Sequence, residues 1–239
     1  MNEIISNGKE VIRIEAEAIA DLQNSINEDF VNTVETIFAS KGRVVLTGMG
    51  KSGLIARKIV ATLNSTGTAA IYLHPTDALH GDLGMVRSED VVILISKSGE
   101  TEEISNLLPM LKRMNVKLIS MCGNKESKLA RECDLFLNIA VKEEACPYDL
   151  APTASTTATL ALGDALAVSL LKKRNFTAKD FAFLHPGGSL GKRLSLKIKE
   201  VMITGDRIPR VNKGTSIKDV IIEITSKRLG TTCVLDEEG

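Results

Sequence analysis

The sequence contains no tryptophan, 3% aromatic residues in all, and three histidines among 239 residues. A surface that holds bases by stacking needs aromatic side chains, so a single-stranded nucleic-acid platform is excluded. Surplus charge is missing too, since 30 Lys and Arg balance 30 Asp and Glu. With no net field, neither a nucleic-acid backbone nor an anionic membrane is favoured as a partner. The four cysteines, Cys122, Cys133, Cys146 and Cys233, form no C-x-x-C pair. That leaves out a zinc ribbon and a disulfide framework and fits a reduced compartment. No apolar run reads as long enough to span a bilayer, and Glu3, Glu10, Glu15 and Glu17 interrupt any signal-peptide core. The expectation is a cytoplasmic protein with no nucleic-acid or membrane partner.

What is present is a core. Hydrophobic residues make up 44% of the chain, enough for one large domain plus a smaller segment. Between Ile4 and Phe38 apolar residues recur at helical spacing, which predicts two amphipathic helices with a break near residues 24–27 and a stop at Gly42. Then the texture changes. Short apolar runs at 43–47, 69–73, 91–96, 117–121 and 135–140 alternate with helical patterns at 52–64, 100–114 and 127–132. Strands apolar on both faces, joined by crossover helices, imply an α/β fold: a doubly wound five-stranded parallel sheet in flavodoxin-like order, preceded by the N-terminal helices. Pro109 should kink the helix that contains it or mark a late start. Residues 153–174 read as one long helix rich in small residues, with Asp164 as a paired acid. From Val201 the pattern becomes strand, helix, strand, as a separate segment, so the expected division is 1–200 and 201–239.

The loop Gly48-Met-Gly-Lys-Ser-Gly53 satisfies G-x-G-x-x-G between a strand and a helix. A dinucleotide site also needs an acid at the end of the second strand. Here that strand ends Tyr72-Leu73-His74-Pro75, and Asp77 arrives after the proline. A P-loop fails as well, because its leading glycine would fall on Val45. The third strand is more telling. It ends Ser96-Lys97-Ser98-Gly99-Glu100-Thr101 and enters a helix. Three hydroxyls around a glycine at a helix N-terminus suit a phosphate dianion, where an ordinary cap needs one. In flavodoxin-like order the first and third strands flank the switch point, so both loops open on one crevice. A small sugar phosphate is the ligand that fits.

Together the segments TGMGKSG, LHPTDALHGDLGMV, SKSGETEEI, EEACP with DLAPTASTTATLALGDALA, and HPGGSLGK resemble the sugar isomerase (SIS) domain of arabinose 5-phosphate isomerases over residues 9–194. The tail, VMITGDRIPRV through TTCVLD, resembles the start of the paired CBS modules of that family, with part of the first module present. The resemblance implies interconversion of D-ribulose 5-phosphate and D-arabinose 5-phosphate through an enediolate, feeding Kdo and lipopolysaccharide synthesis, by a homotetramer. It further implies that Ser52, Ser96, Ser98 and Thr101 bind phosphate and that Gly67, Thr68, His74 and His80 line the sugar site. The catalytic positions it carries over are Lys51, Glu103, Glu144 and His185.

An aldose–ketose isomerase needs a base at carbon, an acid at oxygen and a cation for the developing charge. Glu144, followed by Ala145 and close to Pro147, is expected to be the base, its pKa raised by burial. Lys51 reaches toward the enediolate oxygen or the phosphate, and His185 protonates the ring oxygen to open the aldose. Glu103 orients Lys51 or serves as a second acid–base group. Because Glu103 and His185 lie far apart in sequence, a neighbouring subunit is expected to complete the site. His74 and His80 lack a third zinc ligand, so a zinc ion at His74 would be incidental or inhibitory, and no cofactor is required. The rival readings are a non-catalytic SIS sensor of a sugar phosphate and an isomerase of another sugar phosphate.

Overall fold

In the computed structural model of the chain, residues 2–187 and 197–237 are described, so positions 188–192 of the HPGGSLGK segment lie outside the described residues. Asn27 ends the first helical stretch. Helix α1 (Asn2–Asp21) passes through a single 3-10 turn (Leu22–Ser25) before α2 (Glu28–Ala39) begins. The Asn27 side chain accepts from the N–H groups of Asp29 and Phe30 and so caps α2. The break falls where the sequence predicts it, because a short polar side chain there competes for the backbone donors.

Five parallel strands follow: β1 (Val44–Gly48), β2 (Ala70–Tyr72), β3 (Val91–Ser96), β4 (Lys117–Cys122) and β5 (Leu135–Asn138). They lie in the order β2-β1-β3-β4-β5. Helices α3 (Gly50–Ser65), α4 (Pro75–Leu79), α5 (Glu102–Arg113) and α6 (Lys128–Glu132) make the connections, and α7 (Ala154–Lys173) and α8 (Ala178–Leu184) follow the sheet. The expected flavodoxin-like sheet is present, with the switch point between β1 and β3.

Alternation along the strands divides the core. Val44, Leu46, Ile93, Ile95, Ile119 and Met121 face α2, α3 and α7, packing with Phe30, Ile59 and Leu162. Val45, Val92, Leu94 and Leu118 face α4, α5 and α6, packing with Ile104, Leu107 and Leu111. A period of two with both sets buried is what helices on both faces demand.

Two expectations need correction. Helix α5 runs through Pro109, starting at Glu102 rather than after the proline. Pro109 is exposed, and the carbonyl it leaves unpaired in the preceding turn belongs to Ser105, which is half-buried. Second, α7 is long and apolar enough to cross a membrane by length and composition, with a mean hydropathy of 1.4. It is instead half-buried in this fold, packed on α1, α2 and α3. Gly163 lets α3 approach it, since a Cβ there would lie 2.4 Å from Ile59 Cδ1. Small residues therefore serve a close helix contact. Asp164 on the same helix is paired, with both carboxylate oxygens 2.6 and 2.8 Å from Lys58 Nζ.

Contacts divide the chain into two units at His185 and Pro186. Among the described residues, the second unit has α9 (Ile198–Val201), β6 (Arg210–Asn212), α10 (Ile217–Lys227) and β7 (Cys233–Leu235). β6 and β7 pair in parallel across α10, which is the strand–helix–strand pattern read from the sequence.

Candidate active site

The C-terminal ends of β1 and β3 lie side by side, Gly48 opposite Ile95 in register. Each runs into a helix that lacks a side-chain cap. Met49 is the N-cap of α3 and cannot cap; Thr101 is the N-cap of α5 and makes no capping bond with its hydroxyl. Elsewhere Asn27, Ser127, Thr177 and Ser216 each bond a first-turn N–H of the helix they begin. Uncapped first turns leave donors open and a positive dipole end, an arrangement suited to an anion.

The loop after β3 is organised by its own hydroxyls. Ser96 Oγ accepts from Gly99 N–H at 3.0 Å and lies 2.7 Å from Thr101 Oγ1. Ser98 Oγ accepts from Glu100 N–H at 3.2 Å. Ser96 is buried and its bonding capacity is used within the loop, so it supports the cup from beneath. Ser98 and Thr101 keep hydroxyl protons to donate outward. Gly99 takes a left-handed φ of 74°, and a Cβ there would meet Ser127 Oγ at 2.1 Å, so the turn requires glycine twice over. Across the crevice, Tyr72 Oη donates to Gly48 O at 2.8 Å and fixes the glycine turn that carries Lys51 and Ser52.

Glu144 lies beyond β5 with its side chain fully buried. Its Oε2 accepts from Thr153 N–H at 2.8 Å and Ser155 N–H at 3.1 Å, so the carboxylate occupies the N-terminus of α7. Its Oε1 lies 2.8 Å from Lys97 Nζ, in an orientation that makes an ion pair rather than a directed hydrogen bond. Burial pushes the carboxyl up, as the sequence suggests. Lys97 and the hydroxyl and N–H groups at the start of α7 outweigh it and lower the pKa to about 2. The expectation of a raised pKa at Glu144 is therefore overturned. So strong an acid is a poor acceptor of a proton from carbon. Glu103, half-buried on the first turn of α5, makes no hydrogen bond or ion pair among the described residues. Lys51, exposed on the first turn of α3, is equally unpaired. These two groups are free to act.

His74 and His80 border α4, which packs on α5. His74 Nδ1 has no hydrogen bond, and Asp77 is its acidic neighbour at 3.9 Å. Two donors fall short of a zinc site, and among the described residues no three His, Cys, Asp or Glu side chains are grouped to hold a metal.

Three expected site residues lie at the other edge of the sheet. Gly67 and Thr68 precede β2, where Thr68 Oγ1 accepts from Arg174 Nε at 3.1 Å and a Cβ on Gly67 would strike the Phe176 ring at 2.4 Å. The His185 ring stacks on Phe181 and bonds through Nδ1 to Phe181 O and through Nε2 to Ser65 Oγ. A carbonyl only accepts, so Nδ1 carries the proton and Nε2 accepts from Ser65. Lys51 and Ser65 occupy opposite ends of α3, about 21 Å apart at 1.5 Å per residue. Within one protomer, His185 and Lys51 cannot touch one small substrate. Sequence reasoning passed over Lys97, Asp149 and the start of α7. A lysine between two cup serines was the available signal.

The SIS-domain profile matches residues 37–169. The chain is 54% identical over 230 residues to arabinose 5-phosphate isomerase KdsD of Shigella flexneri, covering 96% of this chain and 70% of that protein. It is 52% identical over 237 residues to KdsD of Pseudomonas aeruginosa, covering 99% and 73%. The chain belongs to the SIS-domain arabinose 5-phosphate isomerase family. Among solved SIS-domain structures, c3406 of E. coli CFT073 in complex with arabinose 5-phosphate superposes with a TM-score of 0.75 at 45% identity, covering 77% of this chain and 98% of that one. The order β2-β1-β3-β4-β5 and the two open helix ends are thus set in a SIS domain.

Proposed function

We infer that this chain is a cytoplasmic arabinose 5-phosphate isomerase, interconverting D-ribulose 5-phosphate and D-arabinose 5-phosphate and feeding Kdo and lipopolysaccharide synthesis. The observation that carries the reading is the pair of uncapped helix ends at the switch point, with unpaired Lys51 and Glu103 on their first turns. Ser52, Ser98, Thr101 and the open N–H groups of α3 and α5 grip the phosphate. Glu103 takes a proton from C1 of the ketose and returns it to C2, while the Lys51 ammonium steadies the enediolate oxygen. Glu144 stays ionised and acts as an anchor for Lys97 and α7. The sugar hydroxyls fall to His74 and His80. No step calls for a metal or other cofactor, and a zinc ion at His74 would be a bystander or an inhibitor.

His185, Gly67 and Thr68 enter from a neighbouring copy in a homotetramer, where His185 delivers the proton that opens the furanose ring. The span of α3 supports this division of labour. So do large apolar side chains left in solvent: Ile4 is 78% exposed, Leu54 67% and Phe183 82%. The strand–helix–strand of the second unit we read as the opening part of a CBS module. Incubation with D-ribulose 5-phosphate is expected to yield D-arabinose 5-phosphate, identified by NMR of the product mixture. A different aldose or an unchanged ketose would defeat the reading.

A further inference from the structure

Lys97 stands between the two serines of the cup, and the chemistry above gives it no direct task. Its backbone is fixed, with Gly123 N–H donating to Lys97 O at 2.9 Å. Its side chain turns to Glu144 Oε1 at 2.8 Å and to the Asp149 carboxylate at 3.4 Å. Glu144 has no exposed side-chain surface, whereas Lys97 keeps 42% of its own. A buried, ionised carboxylate therefore lies one lysine side chain from a loop built for a dianion. Left uncompensated in a place of low dielectric, that carboxylate would repel the ligand. The other groups facing Glu144 cannot cancel its charge. Asp149, from the turn after β5, is itself acidic and its Oδ1 accepts from Glu144 N–H at 3.1 Å; Thr153 and Ser155, from α7, are neutral.

We propose that Lys97 is a positioning residue for phosphate binding: its ammonium neutralises the buried Glu144 carboxylate, so that the dianionic tail of a sugar phosphate can occupy the adjoining cup. The proposal deepens the isomerase reading and rests on it for the place of the phosphate. It makes the pair, rather than the lysine alone, the unit that matters. Removing the cation should weaken binding, and removing both charges should restore it.

The test is calorimetric titration of the full chain with inorganic phosphate and with arabinose 5-phosphate, for wild type, K97M, K97R, E144Q and K97M/E144Q. K97M should bind both ligands about tenfold more weakly. K97R should stay within about threefold of wild type, since it keeps the charge. K97M/E144Q should recover most of the loss, a coupling that a merely structural role would not produce. K97M binding within about twofold of wild type, or a double variant no better than K97M, would overturn the proposal. Should K97M not fold, the decision passes to E144Q, which must bind phosphate at least as tightly as wild type; weaker binding rejects the idea. Turnover is measured separately. A wild-type chain that binds phosphate with this coupling yet converts no ribulose 5-phosphate would defeat the isomerase reading alone.

Discussion

Glu103→Gln is expected to lower kcat by about a thousandfold, within the range that positioned acid–base groups supply. Affinity for arabinose 5-phosphate should stay within about threefold of wild type, because the amide keeps the shape and the cup is untouched. The reasoning is one of availability. Two carboxylates border the crevice, and only one of them can take a proton from carbon near neutral pH. Glu144 spends its charge on Lys97 and the first turn of α7, and its pKa falls to about 2. Glu103 has no partner among the described residues and sits on the helix that holds the phosphate. Steady-state kinetics with ribulose 5-phosphate, paired with calorimetry, separates the two effects. A loss of less than about tenfold in kcat would move the base elsewhere, with Glu144 next to be tried despite its ion pair.

Mixing two inactive variants should restore activity. Lys51→Ala removes a group at one end of α3, and His185→Ala removes a ring held at the other end by Ser65. If each site draws Lys51 from one copy and His185 from its neighbour, both homo-oligomers are dead. Hybrids formed by co-expression or by dissociation and reassembly then contain sites with both groups intact. With equal amounts and random assembly, about a quarter of the sites are complete. Specific activity should therefore return to about a quarter of the wild-type value, read against hybrids verified by native mass spectrometry. Verified hybrids without recovery would place both residues in a single-protomer site or strip one of its role. The 16-residue length of α3 makes the second copy necessary on geometric grounds alone.

Most of the α/β frame could be read before any coordinates. Val44–Leu46 and Val91–Ile95 are apolar at every position, and only a sheet covered on both faces buries such runs. Asn27 was legible as a boundary because a cap is a local event. The charge state of Glu144 was not. Its neighbours in sequence indicate burial, but the opposing influences come from Lys97, after β3, and from the start of α7, which tertiary packing alone brings to it. Helix α7 misled for a related reason. Length and hydropathy describe a segment, whereas Gly163 against Ile59 describes a contact. The motif around Thr68 also carries no direction along the sheet, so its place opposite the crevice emerges only once α3 is measured end to end.

The central claim is that a sugar phosphate is held by its tail at the ends of β1 and β3. A crystal structure of the chain soaked with arabinose 5-phosphate tests it most directly. The account predicts phosphate oxygens within hydrogen-bonding distance of the Ser98 and Thr101 hydroxyls and of the first-turn N–H groups of α3 and α5, with the carbonyl end turned toward Glu103. A phosphate bound away from both helix ends, or a sugar whose C1 and C2 lie far from Glu103, would contradict it.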